Sequence, residues 1–76
     1  MIDVKLFKTK LKKESNPELG QLQATTFSEL SKALLRAQQC IEQTAYANAR
    51  FDLEASAEYA YKLYLIGLEI EERNKI

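Results

Sequence analysis

Between Gly20 and Gly67 the chain runs for 46 residues without a glycine or a proline. These are the residue types that most readily end a helix, so nothing forbids one helix from Phe27 to about Arg73. Within this run Phe27, Leu30, Leu34, Ala37 and Ile41 recur at alternating steps of three and four, which lines them along one helical face. That face needs a neighbour. The stripe fails at Thr44 and Asn48, where Asn48 can end a helix in a left-handed conformation and Asp52 can cap the next. The pattern predicts an antiparallel pair over 26–48 and 52–74, broken between Asn48 and Asp52, with one continuous helix as the alternative. Thr26 and Glu29, three apart, read as the capping box that starts the first helix.

The second helix is over-supplied with apolar side chains. From Tyr59 to Ile70, "YAYKLYLIGLEI", only Lys62 and Glu69 carry charge. At 100° per residue, Glu54, Glu58, Lys62, Glu69, Glu72 and Arg73 gather on one side, with Leu65 as an apolar intruder. Tyr59, Leu63, Ile66 and Ile70 make one apolar stripe, and Leu53, Ala57, Ala60, Tyr64 and Leu68 another. Roughly two-thirds of the circumference therefore calls for burial, and one neighbouring helix covers only about a third. Acid-first pairs four apart, Glu58 with Lys62, Glu69 with Arg73 and Glu71 with Lys75, carry the helix nearly to the C-terminus. Gly67 within it costs about 1 kcal/mol relative to alanine, which suggests a close helix crossing.

Ahead of the long run, "ESNPELG" holds the only proline, Pro17, and reads as a connector. Ile2, Val4 and Leu6 alternate with Asp3 and Lys5 as in a strand, and "QLQATT" after the connector is suited to pair back on it. The expected fold is therefore α+β, an N-terminal β-hairpin over 1–25 followed by the αα-hairpin. Val4, Phe7 and Leu11 also fit a helical stripe, so the alternative is an all-α helical bundle.

Chemistry is constrained by what is missing. The chain has no histidine, which removes the usual general base and the commonest metal ligand. Its two glycines stand far apart, so no glycine-rich phosphate loop exists. The single cysteine, Cys40, excludes an intrachain disulfide and fits a reducing cytoplasm; mid-helix beside the apolar stripe, it reads as a structural thiol. No run is apolar enough to span a bilayer, and the first residues lack the pattern of a signal peptide. The expectation is a cytoplasmic protein with no membrane partner, no catalytic residues, no cofactor and no metal.

Seventy-six residues make one domain, and a chain near this length buries only about 60% of its unfolded surface, so a partner would add what the core lacks. Tyr59, Tyr61, Tyr64, Leu65 and Leu68 are the candidate protein-interface residues, because tyrosines give contact area at modest entropic cost. Net charge is zero but uneven: residues 1–13 hold five lysines against Asp3, and residues 51–76 hold six carboxylates against three basic groups. Lys5, Lys8, Lys10, Lys12 and Lys13 are candidate phosphate contacts, with Phe7 available to stack. Edge protection of a strand explains the same lysines. The leading expectation is a small non-catalytic regulator or inhibitor, of the size phage and mobile-element genomes encode, that binds a protein partner and forms a homo-oligomer, most simply a dimer. A nucleic-acid or nucleotide-binding protein using the lysine segment is the first alternative, and a purely structural homo-oligomer subunit the second.

Overall fold

The computed structural model describes residues 2–75, and three helices account for nearly all of them: α1 (Val4–Lys13), α2 (Asn16–Glu42) and α3 (Tyr46–Arg73). No strand occurs among the described residues, which corrects the expected N-terminal β-hairpin and leaves the all-α alternative. The alternation of Ile2, Val4 and Leu6 loses to local capping. The Asp3 carboxylate accepts from the Leu6 amide at 3.1 Å and opens α1, while Lys10, Lys12 and Lys13 sit in its last turn, where positive charge suits the helix dipole. Val4, Phe7 and Leu11 are then one face, and Leu11 is buried.

The capping box lies eleven residues before the expected one. Ser15 Oγ accepts from the Glu18 amide at 3.2 Å, and Glu18 Oε1 accepts from the Ser15 amide at 2.8 Å. Pro17 sits in the first turn of α2, where its missing N–H costs nothing. The connector "ESNPELG" is thus the start of a helix, "QLQATT" is its interior, and Thr26 is a buried residue of it.

The two long helices form an antiparallel hairpin whose turn falls at Gln43–Ala45 rather than at Asn48–Asp52. There the Ala45 amide donates to the Cys40 carbonyl at 2.7 Å and the Thr44 amide to the Ile41 carbonyl at 3.0 Å. This is the paired bonding of a Schellman end, with Thr44, at φ 57°, in the left-handed position usually held by glycine. Asn48 and Asp52 are interior to α3, and Asp52 bonds Arg36 of α2 at 3.3 Å.

From the middle of α2 to the turn the hairpin seam is built from small residues. Thr26, Ala33 and Ala37 on α2 are buried, as are Ala49 and Ser56 on α3. At the other end α1 lies alongside α3, and Leu11, Leu19, Leu65 and Ile66 form the core, with Phe7, Leu22 and Ile70 packed against it. The molecule measures 49 × 20 × 17 Å, because ten-residue α1 covers only part of a hairpin of 27- and 28-residue helices.

Candidate interaction surface

The position of α1 decides which residues of α3 remain free. It docks on the charged side of α3, where Leu65 was the lone apolar residue; Leu65 is 3% exposed and belongs to the core. The charges around it grip α1. Arg73 Nη2 donates to the Leu11 carbonyl at 2.9 Å, Arg73 Nε donates to Glu69 Oε2 at 2.8 Å, and Lys12 Nζ stands 3.5 Å from Glu69 Oε1. The Arg73 hydrogen bond, reinforced by the positive charges of Lys12 and Arg73, holds the Glu69 carboxyl below its ordinary value of 4.5. The Ser15 amide and hydroxyl do the same for Glu18.

This docking scatters the predicted interface residues. Tyr61 and Tyr64 stack at 6.2 Å between centroids, with planes 14° apart, and both are exposed together with Leu68. These three form one outer patch of α3. Tyr59 is half-buried, with Lys62 Nζ 5.9 Å from its ring centre, and Leu65 is inaccessible.

The five lysines are separated too. Lys8 and Lys12 flank a groove with Leu68 and Glu72, whereas Lys10 and Lys13 line a different groove of about 640 Å³ beside Lys62, Asp3 and Glu58. Lys5 is on the helical flank of Lys8 and Lys12. Two carboxylates in the larger groove oppose the lysines. Phe7 is half-buried against the core with Lys62 Nζ 6.0 Å from its ring centre, so it is not presented for stacking on a base.

A further exposed apolar surface lies on residues that the sequence marked as a stripe needing a neighbour but did not name as interface residues. Phe27, Leu34 and Ile41 on α2 and Leu53 on α3 are all exposed. On α2 the seam residues lie between Leu22, which packs on the core that Leu11 of α1 joins, and Phe27, about 140° further round. On α3 the seam lies between Ile66 and Leu53 in the same way. Both rows therefore share the face of the hairpin turned away from α1. The available signal is the stripe from Phe27 to Ile41, which periodicity alone cannot distinguish from an intrachain seam.

Among the described residues no group of three His, Cys, Asp or Glu is placed to hold a metal, and no buried side-chain nitrogen or oxygen lacks a hydrogen-bond partner. No helix among them is long and apolar enough to cross a membrane. Comparison with protein-family models, with curated proteins and with solved structures finds no match to this chain.

Proposed function

We propose that this chain is a non-catalytic protein-binding module, a small regulator or inhibitor acting in the cytoplasm, whose working surface is the apolar flank of the α2–α3 hairpin. The observation that carries this reading is the amount of apolar surface left uncovered. Among the described residues eleven large hydrophobic side chains are exposed, against seven apolar residues in the core.

A monomer of this mass is expected to expose roughly 4,700 Å². This chain exposes 5683 Å². Its radius of gyration, 14.6 Å, likewise exceeds the roughly 11.4 Å expected of a globule of this length. The chain is thus extended rather than compact, and large apolar side chains clustered on such a surface mark an interaction site. The single cysteine, Cys40, supports the cytoplasmic part of the reading.

The test compares tagged wild type with a Phe27→Glu, Tyr64→Glu double variant by particle size, both purified and in cell extract. Both residues are about 60% exposed, so the charges leave the monomer fold intact. A wild-type particle larger than the monomer in either setting, lost in the variant, is the expected result. Monomers in both settings for both proteins would overturn the reading.

A further inference from the structure

Each long helix carries an apolar row that the chain leaves uncovered, beside the row that packs in the hairpin and, on α3, the contact of Leu65 with α1. On α2 the used row includes Leu19, Thr26, Ala33 and Ala37, all buried, and a second row of Phe27, Leu30, Leu34 and Ile41 runs beside it. On α3 the used row includes Ala49, Ser56 and Ile66, and the second is Tyr46, Leu53, Ala57, Ala60 and Tyr64, at steps of three, four or seven. Two rows per helix is the pattern of a helix with two neighbours, as in a four-helix bundle.

We propose that the free face of the α2–α3 hairpin is covered by the same face of a second copy, so that two hairpins close into a four-helix bundle with each α1 on the outside. This rests on the protein-binding reading above and names its partner. The occupant has to present two helices about 40 Å long with apolar rows of matching period, and the hairpin is itself such an object. A face that meets its own copy must be self-complementary. The whole-molecule surplus over a compact monomer, about 980 Å², is of the same order as the ~800 Å² that each partner gives to a standard interface.

Charge is compatible with the same occupant. The α2 positions along the middle of the free row, Gln23, Ala24, Ser31 and Gln38, are uncharged, and the charged groups at the margins of the face, Glu42 on α2 and Arg50 and Glu71 on α3, include both signs. The lysine-bearing face of α1 has the opposite property. A hollow of about 550 Å³, lined by Gly20, Gln23, Ala24, Phe27 and Leu63, opens beside this row. A Cβ added at Gly20 would meet nothing within 4 Å, so this hollow is open on the Gly20 side.

The experiment is disulfide trapping in a Cys40→Ser background, with Leu34→Cys, Leu53→Cys and an equimolar mixture of the two, purified and mildly oxidised. A two-fold axis across the helices sets Leu34 against Leu34 of the second copy, and one along them sets it against Leu53 of the second copy. Circular dichroism verifies that each variant stays helical. The expected result is a covalent dimer, from one variant alone or from the mixture, at least tenfold above a Lys32→Cys control on the opposite flank of α2. No dimer above the control in any sample overturns the proposal. A larger particle in cell extract then leaves the protein-binding reading standing, and a monomer there removes both.

Discussion

Arg73 reaches back 62 positions to donate from Nη2 to the Leu11 carbonyl at 2.9 Å. The same guanidinium holds Glu69 at 2.8 Å and Asn16 Oδ1 at 2.9 Å, so one side chain ties the end of α3 to the end of α1 and the start of α2. The Leu11 carbonyl lies in the last turn of α1, where it also accepts from the Glu14 amide at 3.1 Å, so the guanidinium takes its second lone pair. Arg73→Ala should therefore cost about 2 kcal/mol, measured by urea unfolding, because hydrogen bonds to a charged group are the stronger kind. Arg73→Lys should recover only part of this, lacking the forked geometry. Lys12→Ala, whose side chain is 68% exposed, should change stability little.

Acid should weaken the same junction. Glu69 and Glu18 both have folded-state pKa values below 4.5, so their stabilisation is fully present above the unfolded value and is lost as pH falls through the folded one. Thermal melts between pH 6 and pH 3, values chosen to bracket the ordinary carboxylate range of about 4, should fall more steeply for wild type than for Glu69→Gln. Equal slopes would show that the Glu69 contact with Arg73 contributes nothing.

Thr44 holds a left-handed conformation that a β-branched residue adopts at a cost. Thr44→Gly should stabilise the protein by about 1 kcal/mol, although it gives up the 2.6 Å bond from the Thr44 hydroxyl to the Gln43 carbonyl. The melting temperature reads this directly, and a decrease would contradict the strain assigned to the turn.

Ser15→Ala removes the hydroxyl that accepts from the Glu18 amide and should cost about 1 kcal/mol. Hydrogen exchange should rise first at the start of α2, leaving the turn at Thr44 unaffected.

The αα-hairpin was legible in the sequence because the apolar period over Phe27–Ile41 and Leu53–Ile70 is helical throughout. Its boundaries were not. Ser15 and Glu18 form as good a capping box as Thr26 and Glu29, and the nearby Pro17 drew the reading toward a connector although proline is favoured in the first helical turn. At the turn, Thr44 stands where glycine or asparagine is the usual signal, so Asn48 attracted the break. Leu65 was the clue to α1: an apolar residue on a charged face implies a neighbour there, and the lysine-rich first helix is complementary to Glu69. Gly67 gave a false lead within the chain, since a Cβ there would meet nothing within 4 Å.

The central claim, that the second apolar row of the hairpin is covered by a second copy, is tested most directly by the light-scattering mass of the purified protein across the micromolar range. The account predicts twice 8.7 kDa for wild type, falling to 8.7 kDa for the Phe27→Glu, Tyr64→Glu variant with its helicity retained. A wild-type mass that stays at 8.7 kDa at the highest concentration would contradict it.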